Sequence, residues 1–183
     1  GKMKTDLISK IMLAFHLLVG GYILSNPISK ELAIINSNKN SNKEKTAILV
    51  SYEDLANELL VKGFSGVGLT AYYFSKKGKI EIIDKAKEKD LERVLADTSY
   101  DNLVIYGHGS TGSWSDSEGK SVKYSELKTS LKKRILQFTC GGGNRKSLVE
   151  MCAKNRYESF YPTKERNSFQ DYFYGLNLLF SQK

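Results

Sequence analysis

The stretch Asn102–Trp114, NLVIYGHGSTGSW, organises the fold together with a matching stretch, Arg134–Gly143, RILQFTCGGG. Each begins as a short apolar run, which is typical of a buried strand, and then breaks abruptly into glycine. At the break the first stretch carries His108 and the second carries Cys140. We therefore expect two strands that bring these two side chains together.

Around these stretches, short apolar runs alternate with segments of helical periodicity. Strands are predicted at 47–52, 70–74, 79–83, 103–106 and 135–139, and helices at 53–63, 85–96, 125–133, 145–154 and 168–180. Such alternation is typical of α/β proteins, in which helices cover both faces of a mostly parallel sheet. The sequence thus predicts an α/β domain over residues 47–183.

The N-terminal residues 1–26 contain the apolar run Ile11–Leu24, IMLAFHLLVGGYIL, after three lysines. A basic start before an apolar block indicates a secretory signal or a signal-anchor. No small-x-small cleavage site follows the run, so a retained hydrophobic helix that anchors the domain outside the cytoplasm is predicted; cleavage would give a secreted protein. A helix of a soluble protein is the alternative, which His16 favours because a histidine is costly in hydrocarbon. Residues 27–46, with the tract NSNKNSNKEK, are predicted to be a polar linker.

Charge and cysteine content narrow the class of protein. Half of the formal charge of +8 comes from residues 1–45, and the rest of the chain is only mildly basic, with interleaved Lys, Arg, Asp and Glu. No DNA- or RNA-binding motif accompanies the charge, so no nucleic-acid partner is predicted. Two cysteines and two histidines are too few for a disulfide framework or a structural zinc site. We expect no metal and no cofactor. Cys152 is predicted to be a buried apolar residue of a helix, with a Cys140–Cys152 bridge as the alternative.

His108 and Cys140 are both predicted at carboxyl ends of strands, where ligands bind in open parallel sheets. They are 32 residues apart, which suits one helical crossover between adjacent strands about 4.8 Å apart. A neighbouring imidazole, or the N-terminus of the helix predicted after Asn144, would favour the thiolate form of a cysteine. Gly109 and Gly141 leave room for backbone N–H groups to approach an oxyanion.

The order strand-His-Gly, helix, strand-Cys-Gly resembles the caspase-like cysteine peptidases, and GHGSTGSW is most similar to their gingipain branch. The resemblance implies a three-layer caspase/hemoglobinase-like sandwich and a protein or peptide substrate. It implies His108 as general acid/base and Cys140 as nucleophile, with the amides of Gly109 and Cys140 as the oxyanion hole. Trp114 would line the substrate cleft.

The sequence departs from the family at the position two residues before Cys140. Several relatives that cleave after basic residues have Asp there, whereas this chain has Phe138, and the caspase signature Gln-Ala-Cys is also absent. Specificity is therefore not carried over, although Asp116 and Glu118 are candidates to receive a basic side chain. Two alternatives remain: a catalytically silent caspase-like binding module, and a nucleotide-binding domain that uses the glycines at 107, 109 and 112.

Overall fold

Seven strands and five helices are defined in the computed structural model, which describes residues 28–39, 43–54, 66–142, 145–161 and 168–180. The strands are β1 (Glu44–Val50), β2 (Gly78–Asp84), β3 (Asn102–Tyr106), β4 (Gly109–Ser110), β5 (Ser113–Ser115), β6 (Ser121–Lys123) and β7 (Arg134–Phe138). The helices are α1 (28–39), α2 (Val67–Ser75), α3 (Glu88–Ala96), α4 (Leu148–Cys152) and α5 (Ser168–Phe180), with a 3-10 turn at Tyr124–Glu126.

The central sheet has the strand order β2-β1-β3-β7, and each neighbouring pair is parallel. β4, β5 and β6 form a separate antiparallel sheet inserted between β3 and β7. The α/β class with a mostly parallel central sheet is therefore confirmed.

Hydrophobic side chains alternate between the two faces of the central sheet, because successive residues of a strand point to opposite sides. On one face, Ala47 and Leu49 pack with α3, α4 and the small sheet. On the other face, Ile48 and Val50 pack with α2 and with residues from α1 and α5. The sheet is thus the middle layer of three, and its carboxyl edge is left to the connecting loops.

The strand predicted at 70–74 is wrong, because these residues lie within α2. Seven of the nine α2 residues are buried, so the helix has no polar face to give the sequence a 3.6-residue period. Its β-branched and aromatic residues then suggest a strand, but packing on the sheet outweighs that local preference. The strand predicted at 79–83 is confirmed as β2.

The crossover helix predicted at 125–133 is also wrong. After the 3-10 turn the chain is extended, with Leu131 61% exposed and Lys132 fully buried. Lys132 N–H donates to the Cys152 carbonyl at 2.8 Å, and Lys154 N–H donates back to the Lys132 carbonyl at 2.7 Å. These bonds align the segment with the end of α4. A helix packed on the core would bury Leu131 and expose Lys132, and the structure shows the opposite.

Residues 28–39 of the predicted linker form α1 instead, and β1 begins at Glu44, before the predicted domain boundary. Ala33 and Ser37 are buried, and Ser37 Oγ accepts the Ile80 N–H at 2.8 Å on the open edge of β2. α1 thereby covers part of an edge strand. The predicted anchor over 1–26 and most of the predicted helix at 53–63 lie outside the described residues. Among the helices that are described, none is long and apolar enough to span a bilayer.

Candidate active site

His108 and Cys140 occupy equivalent positions beyond adjacent parallel strands. Tyr106 of β3 is paired in register with Phe138 of β7, and Gly107 N–H extends the ladder by donating to the Phe138 carbonyl at 3.3 Å. Each candidate residue is the second residue after the end of its strand. His108 is exposed and Cys140 is half-buried, so both reach the surface at the carboxyl edge of the sheet.

The two loops that carry these residues are hydrogen-bonded to each other. Thr111 N–H donates to the Gly142 carbonyl at 3.2 Å, and Gly142 N–H donates to Thr111 Oγ1 at 3.0 Å. Next to Cys140, Thr139 Oγ1 donates to the Ser110 carbonyl at 3.2 Å. The loop after β3 and the loop after β7 therefore form one bonded unit.

Gln137 also belongs to this unit, although the sequence pattern predicted no role for it. Its side chain is fully buried and reaches the carbonyl oxygens of Ser110 and Thr111 together with Thr139 Oγ1. The signal in the sequence was a single amide in the otherwise apolar run ILQF at 135–138, since a buried polar side chain needs partners.

The backbone at Gly109 directs its N–H away from the small sheet. Ser115 N–H donates to the His108 carbonyl at 3.0 Å, which makes Gly109 and Trp114 a non-hydrogen-bonded pair of the antiparallel ladder. Gly109 has φ 149°, and an added Cβ would lie 2.4 Å from the Ser113 carbonyl oxygen. This position requires glycine. The predicted oxyanion hole of Gly109, Cys140 and Gly141 stays a prediction.

Trp114 does not line an open cleft, contrary to the prediction. Its side chain is fully buried in the core between the small sheet and the central sheet. The indole N–H donates to the Tyr106 carbonyl at 3.3 Å, at the end of β3. A tryptophan with a satisfied N–H and no exposed surface supports the loop that carries His108 instead of contacting a substrate.

Asp116 and Glu118 also have roles other than the predicted one. Asp116 is 2% exposed, and its carboxylate accepts backbone N–H groups of Glu88, Glu118 and Lys120 at 2.9 to 3.1 Å. It therefore closes the turn between β5 and β6 and joins that turn to the start of α3. Glu118 is exposed and forms an ion pair with Lys87 at the surface.

The helix predicted to begin near Asn144 begins later, at Leu148. Ser147 caps it: Ser147 Oγ accepts the Glu150 N–H, and the Glu150 carboxylate accepts the Ser147 N–H. Leu148 N–H donates to Gln137 Oε1 at 3.2 Å. The predicted start of the helix is therefore wrong, and the N–H groups of Leu148 and Glu150 in its first turn are already hydrogen-bonded within the chain.

The two cysteines differ in environment, and both are free thiols. Cys152 is 2% exposed, as predicted, and its thiol donates to the Leu148 carbonyl at 3.3 Å. Burial raises the pKa of Cys152 to about 11, although the positive charge of Lys132 opposes the shift. Cys140 is the cysteine that reaches the surface. Among the described side chains, no group of three or more His, Cys, Asp or Glu residues is arranged to hold a metal ion.

An open groove of about 660 Å³ lies beside the joined loops. Gly112 contributes to it from the loop after His108, and Arg145 and Lys146 contribute from the segment after Cys140. The remaining lining residues come from β6, the 3-10 turn, the extended crossover and α4: Lys123, Ser125, Glu126, Thr129, Glu150 and Met151. Gly112 and Arg145 are in close contact, since a Cβ on Gly112 would lie 2.2 Å from Arg145 Cβ.

No model of a known protein family matches the chain, and no curated protein matches it. Among solved structures, the chain is similar to the crystal structure of caspase-1 from Spodoptera frugiperda. The two share 13% identity, with 79% of this chain and 73% of that chain covered and a TM-score of 0.40. The geometry of the chain itself defines an α/β protein with a histidine and a cysteine at the ends of adjacent parallel strands.

Proposed function

We propose that the protein is a caspase-like cysteine peptidase that hydrolyses peptide bonds, with Cys140 as nucleophile and His108 as general acid/base. The observation that carries the proposal is the placement of these residues. Each follows a register-paired residue of adjacent parallel strands, in loops that are hydrogen-bonded to each other. The sequence pattern around His108, Gly-His-Gly-Ser followed by Trp114, supports the gingipain branch of that class.

In the proposed reaction His108 accepts the thiol proton of Cys140, and the thiolate attacks the carbonyl carbon of the scissile peptide bond. The N–H groups of Gly109, Cys140 and Gly141 are proposed to bind the oxyanion. His108 then protonates the leaving amine, which departs and leaves an acyl-enzyme. A water molecule, deprotonated by His108, hydrolyses the thioester and regenerates the thiol.

Selective alkylation of the two cysteines tests the pairing. With iodoacetamide near pH 7, Cys140 is expected to react much faster than Cys152, because Cys152 is buried and its thiol pKa is raised to about 11. His108→Ala is expected to slow the Cys140 reaction at least tenfold, on the scale of general-base assistance of about 10². His16→Ala is the matched control, since it removes the other histidine, and it should leave the rate unchanged.

Peptide cleavage separates the peptidase from a binding module. The wild-type chain should cleave a peptide library, and Cys140→Ala should not. A Cys140 whose alkylation rate is indifferent to His108→Ala would refute the dyad and leave the silent binding module. The geometry does not support the nucleotide-binding alternative. A phosphate-binding glycine loop leads into a helix N-terminus, whereas Gly112 is followed by strand β5.

We also propose that residues 1–26 anchor the chain to a membrane, with the domain outside the cytoplasm. The described residues offer one supporting observation: Ile28, Leu32 and Ile35 are 46 to 59% exposed and form a stripe on the outer side of α1, a few residues after the apolar run. Leu18→Arg, which places a charge within the run, should abolish flotation with phosphatidylcholine vesicles. Ser29→Arg, just outside the run, is the control and should leave flotation intact.

A further inference from the structure

We propose that Gln137 is the positioning residue that sets the His108 loop against Cys140. The inference rests on the proposed function, because it concerns how that site is assembled. Gln137 is fully buried in β7, three residues before Cys140. It therefore acts through its neighbours, without contact with a substrate.

The amide group of Gln137 has partners on both of its sides. Nε2 lies 3.0 Å from the Thr111 carbonyl oxygen, 3.3 Å from the Ser110 carbonyl oxygen and 3.0 Å from Thr139 Oγ1. Oε1 accepts the N–H of Leu148 at 3.2 Å. Because the carbonyl groups can only accept and the N–H can only donate, these partners fix the orientation of the amide.

These contacts join the three segments that surround Cys140. Ser110 and Thr111 follow His108 in the chain, Thr139 precedes Cys140, and Leu148 is the first residue of α4. Thr139 Oγ1 continues the network by donating to the Ser110 carbonyl. The Gln137 side chain thus joins the loop of the proposed base to the strand of the proposed nucleophile, in addition to the direct hydrogen bonds between Thr111 and Gly142.

Gln137 and Thr139 lie in a buried environment, where hydrogen bonds are strong and an unpaired polar group is costly. Thr139 is 3% exposed. Tyr124 is fully buried nearby, where burial raises its pKa and the Thr139 hydroxyl acts in the opposite direction. Loss of the Gln137 amide would remove its hydrogen bonds to the Thr111 carbonyl and from the Leu148 N–H, and a weakened bond network in a buried environment would let the loop after His108 shift relative to β7.

The test compares three variants of the full chain. Gln137→Met keeps the size of the side chain and removes its hydrogen bonds. Thr139→Val is milder, because it keeps the shape and removes only the hydroxyl between Gln137 and Ser110. Leu136→Val is the matched control, since Leu136 lies on the opposite face of the same strand, away from both loops.

We expect Gln137→Met to slow alkylation of Cys140 at pH 7 by about 10 to 100-fold, because a displacement of about 1 Å is enough for such losses. Its pH–rate profile should approach that of His108→Ala, and kcat for peptide cleavage should fall with little change in KM. Thr139→Val should shift the profile in the same direction by a smaller factor. Leu136→Val, although it lowers the melting temperature, should keep the wild-type profile.

Three results would overturn the proposal. If Thr139→Val and every folded Gln137 variant keep the wild-type pH–rate profile while His108→Ala changes it, the dyad stands and the positioning role fails. If Leu136→Val lowers the rate as much as Gln137→Met at an equal loss of melting temperature, the effect is one of general stability. Should His108→Ala itself change nothing, the proposed function and the positioning role fail together.

Discussion

Polar residues at this site divide into those that hold the loops and those that reach the surface, and residue type alone does not separate them. Asp116 has the character of a substrate-binding acid in sequence, but its carboxylate is buried among three backbone N–H groups. His108, in contrast, is exposed at a strand end. Burial and hydrogen-bond partners decide the difference, and both depend on contacts distant in sequence.

Replacement of Asp116 should therefore affect stability and leave the substrate preference unchanged. Asp116→Ala leaves the N–H groups of Glu88, Glu118 and Lys120 without their acceptor, and such losses cost about 1–3 kcal/mol each where no water replaces the acceptor. We expect the free energy of unfolding to fall by about 2 kcal/mol in urea denaturation. Glu118→Ala, which removes an exposed ion-pair partner, is the control and should change stability by less than about 0.5 kcal/mol. A changed preference between basic and neutral peptides in Asp116→Ala would contradict this role.

Gly107 and Gly142 allow the cost of steric crowding to be measured separately from the cost of backbone strain. Both have positive φ, 142° and 113°, so alanine is strained at either position. A Cβ on Gly107 would lie 2.2 Å from Ser51 Oγ, whereas a Cβ on Gly142 would meet nothing within 4 Å. Gly107→Ala should therefore lower the melting temperature well beyond Gly142→Ala, as measured by thermal unfolding. Equal losses would show that backbone strain alone governs both positions.

At the scale of elements, the strands that end at the site were predictable, and several other elements were not. The runs before His108 and Cys140 are bounded by glycine and buried on both faces, so their apolar composition predicted β3 and β7 correctly. α2 was missed because it is buried on nearly all sides, and a buried helix has no polar face to show its period. The extended crossover was missed because burial of Lys132 depends on a distant acceptor, the Asp97 carbonyl, together with the nearby Ser130 Oγ.

The amino end of the central sheet should make stability depend on pH. Burial of Glu44 opposes its ionisation, but hydrogen bonds from Lys133 and Asn102 and the charge of Arg134 lower the pKa of its carboxyl below the ordinary 4.5. A depressed pKa in the folded state contributes stability that is present above the unfolded pKa and is lost as pH falls through the folded pKa. The contribution should therefore disappear as the pH drops below about 4.5.

Glu44→Gln tests this contribution. The variant should be less stable than the wild type at pH 7, by about 1 kcal/mol because the pair is partly exposed to solvent, and the difference should shrink at pH 3. Glu92→Gln, which alters an exposed carboxylate of α3, is the matched control. Urea denaturation at the two pH values gives the comparison. A difference that stays constant with pH would contradict the linkage.

At the scale of the whole molecule, the site is the meeting point of loops from β3 and β7 with the inserted small sheet. Ligands bind at the carboxyl ends of parallel strands, and this rule selected His108 and Cys140 as candidates from the sequence. It could do so because it depends only on the order of strands and loops along the chain. Gln137 and the groove could not be placed in that way. The Gln137 amide finds its partners only when the loops fold over it, and the groove is lined by residues that are distant in sequence, from Gly112 to Met151.

The charge of the groove gives a prediction about substrates. Glu126 pairs with Lys123 at 3.1 Å, and the Glu150 carboxylate accepts the Ser147 N–H at 2.8 Å. Arg145 and Lys146 are exposed and line the groove, with Arg145 next to Gly112 of the loop after His108. Because the two acids are already engaged and two cations are exposed, the groove is favourable for an acidic side chain, and an arginine binds a carboxylate through paired N–H donors.

Peptides with Asp or Glu close to the cleaved bond should therefore be cleaved faster than matched amides. Arg145→Ala should reduce the ratio of kcat/KM for an Asp peptide over its Asn analogue by about tenfold, equivalent to about 1.4 kcal/mol, within the range for a hydrogen bond to a charged group. Lys154→Ala removes an exposed cation outside the groove lining and is the matched control. Raising the salt concentration should narrow the ratio in the wild type, because exposed charges are screened, and should have less effect in Arg145→Ala. An unchanged ratio in Arg145→Ala would place the substrate away from this groove.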